Sequence, residues 1–281
     1  MAVDAPATID LDALPALHRC AQDGSLELLY QPEIDLATGA ILAMEGLLRW
    51  HHETLGLLEP PAFLGLAEVS GEIVPIGEWV LRAGAREAVR WGAMAGQSRR
   101  LWLNISAAEL VSAGFVQLVG DVVRDHGLAH GALGLELAES CIIALGGSAA
   151  PLLDDLRAAG VALAVDDFSS FYSTLGAIEI LPLDAVKLGH RYVRGVGELV
   201  GADGEGDPLV AAVIEQAHAR GLYVVAEGVE TWGEAARLAE LGCDRAHGWL
   251  FAGAQRAERA RWLLERGYGW QRAVPLPRGE D

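Results

Sequence analysis

Short apolar runs alternate with longer stretches of helical periodicity along nearly the whole chain. The runs with the length and composition of strands are Leu26–Gln31, Ile41–Leu48, Leu101–Ile105, Gly134–Leu137, Val161–Val165, Ala185–Leu188, Tyr223–Ala226 and Ala246–Phe251. Helix start signals lie between several of them. Ser106-Ala-Ala-Glu109 and Thr231-Trp-Gly-Glu234 fit the capping box, in which the first and fourth side chains satisfy free backbone donors reciprocally. Asp207-Pro208 places a capping acid before a first-turn proline, and Pro182 and Gly221 mark boundaries beside strands.

Eight strands with helices between them predict an α/β architecture, a modified TIM (β/α)8 barrel, with an open doubly wound sheet as the alternative. Only about nine residues separate Gln31 from Ile41, too few for a helical crossover, so this pair is expected to be an antiparallel hairpin. No repeat or linker divides the chain. The expected organisation is a short tail over residues 1–10, one barrel over 11–270 and a second tail over 271–281. The small and acidic stretch Gly195–Asp207 reads as a long loop, and its Gly195-Val-Gly197 lacks the spacing of a nucleotide fingerprint.

Composition narrows the choice of partner. The 281 residues carry 21 Lys and Arg against 39 Asp and Glu, a net charge of −18, with 52% hydrophobic types. That is a folded globule without the basic face that a nucleic acid or an anionic membrane requires. Cys20, Cys141 and Cys243 are far apart and form no Cys-x-x-Cys pair, which argues against a disulfide framework or structural zinc. The stretch Met1–Asp12 does not read as a signal peptide, and no run reaches membrane-spanning length, so the cytoplasm is the expected location.

The chemistry lies in polar residues at the ends of the strands. Glu45 interrupts an apolar run, Asn104 ends the third, Glu136 and Glu139 close the fourth, and Asp166-Asp167 follow the fifth. Lys187 lies in the sixth run, and Glu227 and Glu230 follow the seventh. Any one of these acids alone reads better as a salt-bridged core residue. Six or seven at one end of successive strands would repel each other and lose hydration unless cations compensate them. Carboxylate and amide oxygens suit hard ions such as Mg²⁺ or Mn²⁺. Two such ions about 3.5–4 Å apart serve in-line displacement at phosphorus. The residues therefore point to a metal-dependent phosphoester hydrolase without naming its substrate.

The chain resembles the EAL domain family of cyclic di-GMP phosphodiesterases from about Leu11 to Ala254. The matching stretches are Tyr30-Gln-Pro32, Glu45-Gly-Leu-Leu-Arg49-Trp50, Asn104-Ile-Ser-Ala107, Leu135-Glu-Leu-Ala-Glu-Ser140 and Asp166-Asp-Phe168. They continue with Leu181-Pro-Leu-Asp-Ala-Val-Lys187, Val225-Ala-Glu-Gly-Val-Glu-Thr231, Gly242-Cys-Asp244 and Gly248-Trp-Leu-Phe251. The resemblance implies a modified TIM barrel with one antiparallel strand and hydrolysis of cyclic di-GMP to linear pGpG. It implies one ion on Glu45, Asn104, Glu136 and Asp166, and a second on Asp166, Asp167 and Glu227. Lys187 would stand beside the attacking water or a phosphate oxygen, with Glu227 as base. Glu139 and Glu230 would support the loop and the second ion, Glu139 as part of the catalytic group and Glu230 on the substrate side. Gln31 and Arg49 would contact substrate, Arg49 through phosphate, which its planar fork suits. A homodimer formed near Asp166–Ser173 is the other partner it implies, and a regulatory protein acting in trans is expected because the sequence reads as a barrel with no sensory domain beside it.

Several positions depart from the family pattern. Gly46 stands where the family has alanine, Ala138 where it has threonine, Gly189 where it has aspartate and His247 where it has glutamine. Ser169-Ser170-Phe171 replaces a stretch with two glycines, which motivates a second expectation, a receptor or scaffold that binds cyclic di-GMP with little turnover. His247 is as well read as a spectator as a hydrogen-bond donor to the water network, and the His51-His52 pair reads as part of the rim. A Schiff-base aldolase using Lys187 is disfavoured, because acids around a lysine raise its pKa.

Overall fold

The first two strands, β1 (Leu26–Asp35) and β2 (Ile41–His52), form the expected hairpin, paired antiparallel from Leu26 opposite Trp50 to Ile34 opposite Ile41. The computed structural model describes residues 9, 11–95, 99–168, 181–194, 196 and 206–266. The Ser169–Ser173 loop and most of the Gly195–Asp207 stretch fall outside these residues. Next come β3 (Gly56–Leu58), β4 (Arg100–Ile105), β5 (Leu133–Ala138), β6 (Ala162–Phe168), β7 (Ala185–Leu188), β8 (Tyr223–Ala226) and β9 (Arg245–Ala246). Strands β2 and β4 to β9 are joined as parallel neighbours in chain order. Strand β9 then pairs antiparallel with β1 through Ile34 and Ala246, which closes an eight-stranded barrel in which β1 runs against both neighbours. The short β3 pairs only with β2 and lies outside the closed ring.

Alternation along each strand sorts the residues between two faces. The outward set, including Leu101, Leu103, Leu135, Leu137, Leu163, Val165, Val186 and Leu188, is buried beneath the surrounding helices. The inward set forms layers. At the lower end Arg100 Nη1 donates to Tyr223 Oη at 2.7 Å, and the Arg245 guanidinium lies 3.8 Å over the Tyr223 ring. Arg245 also pairs with buried Glu33 at 2.7 Å. In the middle one large ring, Trp102, fills the barrel among Ala43, Ala162, Ala164 and Ala185. Residue 134 on the adjacent strand β5, paired with Trp102, must be glycine, because a Cβ there would lie 2.1 Å from the indole. The next inward position on each strand is polar.

Both capping boxes form: Ser106 with Glu109 and Thr231 with Glu234 start the helices Ala107–Leu110 and Trp232–Glu240. Pro182 precedes β7, Gly221 takes a φ of 73° before β8, and Asp207 lies in the first turn of the helix Gly206–His218. Several strand boundaries differ from expectation: β1 and β2 each run four residues further, to Asp35 and His52, β3 was not expected, and β6 and β9 end elsewhere. The run Ala246–Phe251 is extended only at Arg245–Ala246, because Gly248 packs directly on the backbone of Val229 and the chain turns there. Backbone bonds from Val229 N to His247 O and from Leu250 N to Val229 O hold that turn. Strand β6 runs beyond Val165 through Asp166 and Asp167 to Phe168, with a bulge against β7 at the two acids. No helix among the described residues is long and apolar enough to cross a membrane.

Candidate active site at the barrel mouth

The inward residues Glu45, Asn104, Glu136, Asp166, Lys187, Glu227 and His247 each follow by two positions an inward residue of the layer below. The fold brings them to the end of the barrel formed by the C-terminal ends of the parallel strands. Lys187 Nζ is buried at their centre, 2.5 Å from Glu136 Oε1, 3.2 Å from Glu45 Oε2 and 3.3 Å from Glu227 Oε1. Asn104 Nδ2 donates to Glu45 Oε1 at 3.0 Å. His247 Nε2 lies 3.0 Å from Glu227 Oε1 and 3.5 Å from Glu45 Oε2.

Burial and mutual repulsion set the electrostatics. Burial pushes the Glu136 carboxyl well above its usual range against the pull of Lys187, and Glu45 and Asp166 push it further. Asp166 is raised to about 7, by burial first and by Glu227 next. Burial would raise Glu227 too, but Lys187 and the hydrogen bond with His247 outweigh it and hold the carboxyl down at about 2. Burial works to lower Lys187, and the charges of Glu136, Glu45, Glu227 and Asp166 overcome it and hold the ammonium protonated. A lysine whose neighbours favour its charged form is a poor Schiff-base nucleophile, which weighs against the aldolase reading.

The donor set fits divalent cations. Three acids, Glu45, Glu136 and Glu227, pair with one ammonium while Asp166 adds a fourth charge nearby, and the Oε2 atom of Glu136 is buried without a hydrogen-bond partner among the described residues. Such an oxygen is costly unless a cation faces it. Glu45, Glu227 and His247 each offer one ligand atom within 4.8 Å of the others.

The remaining expected residues lie around this centre. Asp167 is exposed and is the one non-glycine among the described residues with positive φ, 48°. Its backbone N–H donates to Asp166 Oδ1 at 2.7 Å, and its carboxylate lies over Gly189, where a Cβ would come 2.1 Å from Oδ1. Asp167 therefore stands apart from the Lys187 cluster. Glu139 is buried at the start of the helix Glu139–Leu145. Glu230 is exposed, and its backbone N–H donates to Glu234 in the cap of the following helix. Gln31 donates to Ala252 O at 3.0 Å, and Arg49 is half-buried with Glu59 3.3 Å from its guanidinium.

A cleft of about 370 Å³ opens beside Asn104 and Asp166. Its walls are mainly apolar, with Leu48, Leu64, Ile73 and Ile76 among them. Glu109 also lines it, buried, with its carboxyl raised to about 7 by burial and next by Glu68, against hydrogen bonds from Ser106. Sequence reasoning saw Glu109 only as a helix cap and left His247 undecided. The signal for His247 was the period-two step from Arg245, which points both side chains inward.

Comparison with known proteins supplies the family. The sequence model of the EAL domain matches residues 15–254. The cyclic di-GMP phosphodiesterase NbdA of Pseudomonas aeruginosa is 37% identical over 271 residues, which covers 96% of this chain and 34% of NbdA. An uncharacterized protein of Mycobacterium tuberculosis is 36% identical over 253 residues, 88% of this chain and 39% of that protein. The chain thus spans about two fifths or less of the length of these curated relatives. The solved structure of PaMucR phosphodiesterase in complex with c-di-GMP superposes with a TM-score of 0.82 at 33% identity, covering 89% of this chain and all of that one. The chain belongs to the EAL domain family.

Proposed function

We propose that this chain hydrolyses one phosphodiester of cyclic di-GMP to linear pGpG, using two divalent ions, Mg²⁺ or Mn²⁺. The observation that carries this reading is the convergence of Glu45, Asn104, Glu136, Asp166 and Glu227 around buried Lys187 at one mouth of the barrel. Glu45, Asn104, Glu136 and Asp166 would hold one ion, and Asp166, Asp167 and Glu227 the other. Ions bound there would acidify a water and neutralise charge on the phosphodiester. Glu227, ionised at neutral pH, accepts the proton of the water that attacks phosphorus as the 3′ oxygen leaves. Lys187, charged and fixed by three carboxylates, donates to a phosphate oxygen. Arg49 exchanges Glu59 for phosphate, Gln31 contacts the substrate edge, and the apolar cleft accepts a flat purine base. Glu139 and Glu230 support the strand-end loops that carry these groups.

A second reading, a receptor that binds cyclic di-GMP without turnover, is favoured by the position of Asp167 over Gly189. One experiment separates the two. Purified protein is mixed with cyclic di-GMP and Mn²⁺ or Mg²⁺, and pGpG is followed by chromatography with Glu45→Ala alongside. Product that needs both metal and Glu45 supports the enzyme. Ligand binding without product supports the receptor.

A further inference from the structure

We propose that His247 is a nitrogen ligand of the divalent-ion centre, which makes this chain's site a mixed carboxylate–imidazole site. The inference rests on reading the barrel mouth as a divalent-ion centre and adds a donor to it. His247 follows β9 by one residue, and the alternation that points Arg245 inward at the lower end points His247 inward at the mouth. Its backbone is held on both sides, its N–H donating to Ala226 O at 2.9 Å and its carbonyl accepting from Val229 N at 3.1 Å. The side chain is buried at 9% exposure.

The geometry suits a shared ion. Oxygen and nitrogen donors at about 2.1 Å from one cation lie about 3.0 Å apart on an octahedral edge and about 3.4 Å apart on a tetrahedral one. His247 Nε2 stands 3.0 Å from Glu227 Oε1, an octahedral edge for the ion that Glu227 would hold, and 3.5 Å from Glu45 Oε2, which borders the other ion. These are the same two oxygens that face the Lys187 ammonium, at 3.3 and 3.2 Å. The Nδ1 atom of the ring is buried and has no partner among the described residues. Without a cation Nε2 donates to Glu227 Oε1 at 3.0 Å; a cation among these donors would displace that proton, and the ring would then ligate through Nε2.

Imidazole changes which ions the centre selects. An all-oxygen site suits Mg²⁺, whereas a ring nitrogen adds affinity for Mn²⁺, Co²⁺ and Ni²⁺ in rising order. The glutamine that the family carries at this position offers no such nitrogen. His247 is thereby a specificity determinant for the metal.

The test is pulsed electron paramagnetic resonance on the full chain loaded with Mn²⁺, prepared with natural histidine and with ¹⁵N-labelled histidine. The expected result is a directly bound nitrogen coupling that changes isotope with the label and disappears in His247→Gln. Calorimetric titration should show the Co²⁺-to-Mg²⁺ affinity ratio falling about tenfold in His247→Gln. Mn²⁺ bound without histidine nitrogen coupling overturns the inference and leaves the metal centre standing. Absence of any Mn²⁺ binding by the wild-type chain overturns the centre and the ligand together. Because the label marks all eight histidines, His247→Asn serves as a second variant if His247→Gln does not fold.

Discussion

Glu109 serves two structural ends that conflict. Its Oε2 accepts from Ser106 N at 2.8 Å to complete a helix cap, yet the side chain is 4% exposed and raised to about 7. The folded protein keeps this proton at pH values where the unfolded chain has lost it, so stability falls as pH rises from about 4.5 to 7. Glu109→Gln keeps the cap acceptor without the charge. We expect it to stabilise the protein by about 2–3 kcal/mol above pH 7 and to change little near pH 4. Melting curves at the two pH values check this, and equal shifts at both would refute it. Gly189 makes a different test. Gly189→Ala displaces the Asp167 carboxylate from over residue 189 and is expected to tighten the weaker of two Mn²⁺ binding steps in equilibrium dialysis. A weaker step would show that Asp167 ligates from where it lies. The acids were legible in sequence because each sits one alternation above an apolar or small inward residue. The contact of Asp167 with Gly189 was not, because it joins two strands across a bulge.

At the level of elements, the strands announced themselves as apolar runs, and the helix starts as capping boxes at Ser106 and Thr231. Boundaries failed where tertiary contacts overrode the run. Leu250 and Phe251 continue an apolar pattern, but Gly248 meets the Val229 backbone and ends β9 at Ala246. Asp166 and Asp167 look like a loop in sequence, yet β7 pairs across them at Phe168. The filling of the barrel was likewise hidden, since nothing local shows that Trp102 is the one large ring among alanines. Trp102→Ala would leave a hole lined by Ala43, Ala164 and Ala185 that those side chains cannot close. We expect a loss of about 3–5 kcal/mol, read from denaturant midpoints. A loss below 1 kcal/mol would mean that the helices collapse inward to fill it.

For the molecule as a whole, the mouth is a reservoir of charge that folding gathers around Lys187. In chelator, Asp166 keeps a proton that the unfolded chain releases, so its contribution to stability declines as pH rises from about 4 towards 7, and Glu136, raised well above its usual range, acts in the same direction. Glu227 acts oppositely, with stability lost only as pH falls from about 4.5 to 2. The melting temperature of metal-free protein is therefore expected to fall between pH 5 and 8. Asp166→Asn should reduce that slope, and saturating Mn²⁺ should reduce it by replacing the proton. A metal-free melting temperature that rises across this range would contradict the assignment. The closed architecture itself was readable from the number of strands and the short gap after Gln31, since both constrain how a sheet can return on itself.

The strand that runs against its neighbours has a consequence for biogenesis. Its outer edge, Ile34 and Asp35, waits for Ala246 and Arg245, more than two hundred residues later. During synthesis the first hairpin and the growing parallel sheet each carry an unpaired border until the last strand emerges. An open border of this kind recruits strands from other chains. Glu33 and Asp35 place negative charge along it, and Glu33 later finds Arg245 as the ring shuts. The residues that seal the lower end of the finished barrel thus also guard the nascent one.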